Sequence, residues 1–102
     1  MKSILCLLMT LAPAEPVPLT PQQSAQIRAQ WCADRNHYWH PPFQIGHVWS
    51  TGARFEGAGW RRGGDWKTIG TCRPHQRRRM RVIADAHAIS KSGMIFRIRL
   101  FK

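Results

Sequence analysis

The chain has 102 residues, which is enough for one folded domain and too few for two. Its composition is 43% hydrophobic, which excludes a chain that is disordered throughout. Lysine and arginine number 16 against five acids, so the formal net charge is +11. Such an excess draws a protein toward anions, and the partners it indicates are nucleic acid, anionic lipid or lipopolysaccharide, acidic glycans and acidic proteins.

The first fourteen residues have the layout of a cleavable signal peptide. Lys2 supplies a positive charge, the apolar run Ile4–Leu11 follows, and Ala12 and Ala14 give the small-x-small pattern that signal peptidase requires. The run is far shorter than the roughly 20 residues of a membrane span, so no transmembrane span is predicted. We therefore expect residues 1–14 to be removed and the protein to be exported, to the periplasm or out of the cell. The alternative interpretation is a first strand or a buried segment of a cytosolic protein.

Removal of the signal peptide would take away Cys6 and leave Cys32 and Cys72 as an even pair. An even pair of cysteines in an oxidising compartment predicts one disulfide bond. In the chain-entropy model, a disulfide that closes a loop of about 40 residues stabilises a domain by roughly 4 kcal/mol.

A reduced chain would offer a different site for the same cysteines, because histidines lie close to both of them. A Cys2His2 zinc site could be drawn from Cys32, His37, His40, Cys72 and His75. The spacings match no known zinc module, and export favours the disulfide. Neither a metal nor a cofactor is therefore predicted.

Residues 15–20 are rich in proline and are predicted to be extended. Thr20 as N-cap, Pro21 at the first helical position and Gln23 at the third predict a helix from Pro21 to about Arg35. One face of this helix carries small residues that would allow close approach to a sheet, namely Ala25, Ala29 and Cys32.

Short apolar stretches separated by glycine and polar turns follow, and they predict β-strands. The first three candidate strands are Phe43–Ser50, Arg54–Trp60 and Asp65–Cys72. Arg61–Gly64 has the composition of a hairpin turn, which would pair Trp60 with Trp66 across it.

The last two strands show the clearest alternation. In the first, the apolar face consists of Met80, Val82 and Ala84, and the other face of Arg79, Arg81, Ile83 and Asp85. In the second, the apolar face consists of Met94, Phe96, Ile98 and Leu100, and the other face of Ile95, Arg97, Arg99 and Phe101. Residues 86–93 connect the two strands. The fold class is α+β, a single small domain over residues 21–102 in which one N-terminal helix packs on a four- to five-stranded antiparallel sheet.

If the two strands pair with their apolar sides on the core, their arginines must emerge together on the other face. Like charges side by side are destabilising unless an anion lies among them, and the arginine guanidinium binds phosphate or carboxylate in bidentate fashion. We therefore predict an anion-binding face made of Arg73, Arg77, Arg78, Arg79, Arg81, Arg97 and Arg99. The alternative is a solvated basic surface that discourages aggregation.

Aromatic residues are interleaved with this charge at Trp49, Phe55, Trp60 and Trp66. Basic grooves with stacking aromatic side chains are typical of proteins that bind single-stranded nucleic acid. Nucleic acid is therefore one expected partner, although aromatic residues in so small a domain also serve as core.

An enzymatic alternative is a secreted ribonuclease, with Glu56 as general base, His87 as general acid and one of the strand arginines on the phosphate. A helix leading into an antiparallel sheet with Glu, Arg and His resembles the general plan of small microbial ribonucleases. The stretches that surround the catalytic Glu and the C-terminal His in that family are absent here. A third alternative is a structural or subunit role, with the arginine face docked on another protein. A binding module for an acidic macromolecule or acidic surface is the first interpretation, and no catalytic residue is assigned.

Intact mass of the natively expressed protein tests the signal peptide. We expect a polypeptide that begins at Glu15, because the small-x-small pattern ends at Ala14. A native product that retains Met1 would contradict the export prediction.

Overall fold

A computed structural model of the chain describes residues 18–73 and 79–102. Its helices and strands, in chain order, are α1 (Pro21–Arg35), β1 (Phe55–Arg62), β2 (Val82–Ile89) and β3 (Met94–Phe101). The strands form one antiparallel sheet in the order β1–β3–β2. The α+β class with a single main helix is confirmed, but the sheet of the described residues has three strands and not four to five. The predicted signal peptide, residues 1–14, lies outside the described residues.

Helix α1 begins and ends where the sequence predicts. The Thr20 hydroxyl accepts the Gln23 N–H at 3.1 Å, and the Gln23 side chain accepts the Thr20 N–H at 2.9 Å. This reciprocal capping box satisfies two N–H groups that have no partner inside the helix. At the other end Asn36 adopts a left-handed conformation with φ of 50°, which stops the helix after Arg35.

The core lies between α1 and one face of the sheet and is built largely of small residues. Ala25 and Ala29 of α1 are completely buried. The sheet side of the core includes Ala58 from β1, Ala84, Ala86 and Ala88 from β2, and Phe96, Ile98 and Leu100 from β3. The close approach predicted from the small helix face is confirmed. Each alanine contributes little apolar area, so the core depends on the short distance between helix and strand.

Two glutamines of α1 bond to the backbone of β2 on the side that faces away from β3. The Gln22 amide donates to the Asp85 carbonyl at 2.8 Å and accepts the Asp85 N–H at 3.1 Å. Gln26 donates to the His87 carbonyl at 2.9 Å. These bonds fix the position of α1 along the strand as well as above it.

The chain beyond β1 turns back and covers the sheet face opposite α1. The Cys72 N–H donates to the Ala58 carbonyl at 3.3 Å. Residues 69–72 lie directly over two glycines of β1, Gly57 and Gly59. A Cβ on Gly57 would come within 2.5 Å of the Cys72 carbonyl oxygen, and a Cβ on Gly59 would overlap that of Gly70. Both positions therefore require glycine, because the obstructing atoms belong to the backbone.

The predicted strand Phe43–Ser50 is wrong. Residues Ile45–Thr51 form 3₁₀ turns, and Gly46 and His47 have φ values of 72° and 50°. These left-handed conformations are incompatible with an extended strand. Val48, which belongs to this segment, is completely buried.

The predicted strand Asp65–Cys72 and the hairpin that leads into it are also wrong. Gly63–Gly64 turn the chain with φ values of 74° and 82°, and the Asp65 carboxylate then accepts the Lys67 N–H at 3.0 Å to start a 3₁₀ turn. β1 pairs with β3 instead. Trp60 and Trp66 consequently do not pair: Trp60 lies beside Phe96 in the sheet, whereas Trp66 stacks on the His87 ring.

The antiparallel pair predicted at the C-terminal end is confirmed, although β2 continues past Asp85 to Ile89. A β-bulge between Val82 and Ala84 leaves Ile83 as an extra residue. Ile83 therefore packs against the core and Val82 is 40% exposed, the reverse of the predicted faces. Strict alternation fails here because the bulge shifts the side-chain period by one residue.

The close approach over β1 predicts that Gly59→Ala destabilises the fold. We expect the free energy of unfolding in urea to fall by about 2 kcal/mol or more, because backbone atoms must move to admit the methyl group. Gly70→Ala is the matched control, since nothing lies within 4 Å of its added Cβ. Equal stability of the two variants would contradict this packing.

Candidate functional site

A buried arginine links α1, β1 and the loop between them. Arg28 and Glu56 are 1% and 4% exposed, and the Arg28 Nε and Nη2 atoms donate to the two Glu56 carboxylate oxygens. The same guanidinium donates to the carbonyls of Pro41 at 3.0 Å, Pro42 at 2.9 Å and Ile45 at 2.8 Å. All of the nitrogen atoms of the Arg28 guanidinium therefore donate hydrogen bonds to groups inside the protein.

Glu56 also contacts a histidine, which in turn contacts a cysteine. His40 Nδ1 lies 2.6 Å from Glu56 Oε1, and His40 Nε2 lies 3.5 Å from Cys72 Sγ. The carboxylate favours the proton on Nδ1, which leaves Nε2 as the acceptor that faces the thiol. The Ala58 N–H donates to the same sulfur at 3.3 Å. We call Arg28, His40, Glu56 and Cys72 the Glu56 cluster.

The predicted Cys32–Cys72 disulfide is not formed in the structure, where both thiols are free. Cys32 is buried in α1 and its thiol donates to the Trp39 carbonyl at 3.5 Å. Burial, together with the negative charge of Glu56, raises the pKa of Cys32 to about 12. Cys72 is half-buried beside His40, so the two cysteines occupy chemically different environments.

Arg97, a member of the predicted anion-binding face, is occupied by the protein itself. Its Nε and Nη2 atoms donate to the Asp85 carboxylate at 2.9 and 2.5 Å, and Nη1 donates to the Lys67 and Ile69 carbonyls. The hydrogen bond to Asp85 raises the pKa of Arg97. The Trp66 ring lies 5.3 Å from the guanidinium, and only 7% of Arg97 is exposed. The sheet face that the sequence predicts to be open is covered by the chain after β1.

The other predicted arginines are separated by the fold. Arg99 lies on the same face as Arg97, with Nε 3.9 Å from Asp85. Arg81 is opposite Lys102 beyond the β-bulge, so it does not share that face. Arg73 and Arg79 are exposed. The remaining two members, Arg77 and Arg78, lie outside the described residues.

A different cluster of cations forms at the end of the sheet where β3 finishes. The Arg54 N–H donates to the Phe101 carbonyl at 2.8 Å, and Arg81 and Lys102 exchange two backbone bonds of 2.9 Å. Arg79 lies two residues before Arg81 in the chain, and Arg54, Arg79, Arg81 and Lys102 are all exposed. We call Arg54, Arg79, Arg81 and Lys102 the basic end. No acidic residue occurs in 53–55, 79–84 or 100–102.

An apolar cleft of about 350 Å³ lies between the Glu56 cluster and the basic end. Arg54 and His40 both line it. Its walls include three aromatic side chains, Phe43, Trp49 and Phe55. The cleft therefore joins an exposed cation, an imidazole and stacking surfaces in one place.

The two residues proposed for a ribonuclease lie on opposite faces of the sheet. Glu56 is paired in register with Leu100 of the core and bonds to α1, whereas His87 is paired with Arg97 and stacks on Trp66 at 4.3 Å. A general acid and a general base must reach one substrate. Glu56 and His87 cannot contact the same substrate from opposite faces of the sheet, so their positions do not support the ribonuclease hypothesis.

Within residues 18–73 and 79–102 no group of three or more His, Cys, Asp or Glu side chains is arranged to hold a metal ion. Nor does any helix in these ranges have the length and apolar character needed to cross a membrane. Comparison with protein-family models, with curated proteins and with solved structures finds no match to this chain.

The burial of the Glu56 cluster predicts that Glu56→Gln lowers the free energy of unfolding by about 3 kcal/mol, because Arg28 then keeps a buried charge without its counter-ion. Chemical unfolding measures the change. Asp34→Asn makes the same chemical change at an exposed carboxylate that accepts a hydrogen bond from Gln30, and it should be close to neutral. Comparable losses in the two variants would refute the central role of the pair.

Proposed function

We propose that the protein binds an anionic polymer through the basic end. The observation that carries this proposal is the convergence of Arg54, Arg81 and Lys102, from three separate segments of the chain, on one end of the sheet. Arg79 adds a fourth exposed cation. Phosphate, sulfate or carboxylate groups of a polymer would relieve the mutual repulsion of these side chains.

The distribution of charge supports the same proposal. The pairs Arg28–Glu56 and Arg97–Asp85 are neutral as units, so the formal excess of +11 belongs entirely to the remaining side chains. In residues 18–73 and 79–102, the arginines and lysines outside the two pairs are mostly exposed. A polyanion gains from such a surface because neutralising its phosphates releases condensed counterions.

Exposed aromatic side chains next to the basic end favour single-stranded nucleic acid among the anionic polymers. Phe43 is 70% exposed and Trp49 is 47% exposed, and both line the cleft that Arg54 borders. Unpaired bases stack on such rings while the backbone follows the cations. Acidic polysaccharides and anionic lipid offer the charge without the stacking.

Export remains part of the proposal. Residues 1–14 carry the signal-peptide pattern, and the partner would then be an anionic polymer of the periplasm, of the cell envelope or of the medium.

Charge removal tests the basic end. The triple variant Arg54→Ala, Arg81→Ala, Lys102→Ala should bind a single-stranded oligonucleotide at least about tenfold more weakly, and the slope of log K against log salt should fall by about 2. The matched control removes three exposed cations near the end of the sheet where β3 begins, Arg35, Arg62 and Lys91. Equal weakening in both triple variants would leave only a net-charge effect and contradict the proposal.

Three ligands distinguish the sources of the anion: the oligonucleotide, a sulfated polysaccharide of equal charge and vesicles that contain anionic lipid. Stronger binding of the oligonucleotide, reduced by Trp49→Ala, would support nucleic acid, because stacking on one ring contributes about 1–3 kcal/mol per base. Equal binding of all three, unaffected by Trp49→Ala, would reject the stacking part of the proposal.

A further inference from the structure

We propose that Cys72 is a nucleophilic thiol that takes up acyl groups from activated esters or thioesters, with His40 as its base and Glu56 as a positioning residue. The proposal rests on the Glu56 cluster and does not require polymer binding at the basic end, although both ligands would contact Phe43 and Trp49 in the cleft.

The three side chains form a nucleophile, a base and an orienting carboxylate in series. Cys72 Sγ lies 3.5 Å from His40 Nε2, and His40 Nδ1 lies 2.6 Å from Glu56 Oε1. A thiol, an imidazole and a carboxylate in this order are the arrangement by which a cysteine is activated for attack on a carbonyl. They come from three distant parts of the chain, so their meeting is a product of the fold.

The imidazole is held on several sides. Glu56 cannot turn away, because both of its oxygens accept from buried Arg28. The Trp39 ring packs edge-on against His40 with 4.5 Å between centroids. Trp39 itself has φ of 125°, a left-handed conformation that is costly for a non-glycine residue. Such fixed orientation is what a base needs before a substrate arrives.

The second cysteine provides a contrast within the same molecule. Cys32 is 1% exposed, its pKa is raised to about 12, and its thiol therefore stays protonated at neutral pH. Cys72 is partly exposed, faces an imidazole and accepts the Ala58 N–H. Nucleophilic chemistry is thus assigned to Cys72.

Each step of the reaction is balanced with these groups. The thiol proton passes to His40 Nε2 as the Cys72 sulfur attacks the carbonyl carbon and forms a C–S bond. The tetrahedral intermediate collapses with cleavage of the bond to the leaving group, which takes the proton from Nε2. A thioester remains on the sulfur. Water, deprotonated by His40, then hydrolyses it to a carboxylic acid and the free thiol.

Two features favour acyl transfer over simple thiol exchange. A carboxylate-oriented imidazole can return a proton to a leaving group, which acyl transfer requires. His40, although not Cys72 itself, lines the aromatic cleft of about 350 Å³, and the walls of Phe43, Trp49 and Phe55 would accept an apolar acyl chain beside this base.

The test uses p-nitrophenyl butyrate with the whole protein. We expect release of p-nitrophenolate and a butyryl adduct on Cys72 in the intact mass and peptide map. Cys72→Ala should remove the adduct, and His40→Ala should slow acylation about 100-fold. Cys32→Ser is the matched control, because its hydroxyl can still donate to the Trp39 carbonyl, and it should leave the rate unchanged since Cys32 is not the nucleophile.

Glu56 is tested as a positioning residue by the two kinetic constants. In the folded fraction of Glu56→Gln, kcat should fall while KM stays the same, because the imidazole loses its orientation and the aromatic walls remain. A rise in KM alone would show only damage to the cleft and would overturn the assigned role.

Measurements on the unaltered protein decide the proposal even if a variant fails to fold. Acylation of Cys72 at the rate of N-acetylcysteine under the same conditions would overturn it. So would acyl groups found on lysine or on Cys32 in place of Cys72. Absence of acylation in a protein that still binds the oligonucleotide would overturn the role of Cys72 and leave the proposed polymer binding standing.

Discussion

The ion pair between Arg28 and Glu56 is the interaction on which the rest of the molecule depends. Burying two charges costs several kcal/mol for each ion, and that cost is offset only when every donor finds an acceptor. Arg28 meets the condition by taking three carbonyls of the loop at 41–45 in addition to the carboxylate. The loop has no regular structure of its own, so this guanidinium determines where His40 and the cleft walls lie.

One buried arginine lies against each face of the sheet, Arg28 from α1 and Arg97 from β3, and each is paired with an acid. Glu56 forms an ion pair with Arg28 on the face that packs against α1. Asp85 forms an ion pair with Arg97 on the face that the segment after β1 covers. Two of the five acids are consumed in this way. Both buried pairs are therefore neutral, and among the described residues only Asp34 and Asp65 remain as acids beside the exposed cations.

Elements whose pattern is local were predictable. The capping residues of α1 fix its start, and the alternation of β3 identifies its core face. The three failures have non-local or backbone causes: left-handed residues at 46–47, the Asp65 cap, and the bulge at Ile83. The basic end was missed in part because Arg54 and Lys102 meet only through pairing of distant strands. Arg28 leaves a signal in the sequence: an arginine amid Ser24, Ala25, Ala29 and Cys32 needs a buried acid, and Glu56 lies in a predicted strand.

The glutamine bonds on β2 have a consequence for association. An exposed edge strand is ordinarily a template on which another polypeptide can add a strand. The outward-facing backbone carbonyls of Asp85 and His87 already accept hydrogen bonds from the glutamine side chains of α1. On the outer edge of β1, the Ala58 carbonyl accepts the Cys72 N–H. Extension of the sheet into a second molecule is blocked at these positions. Under the proposed binding to a polyanion, many copies of the chain would lie along one polymer, and the occupied edge positions would oppose their assembly into fibres.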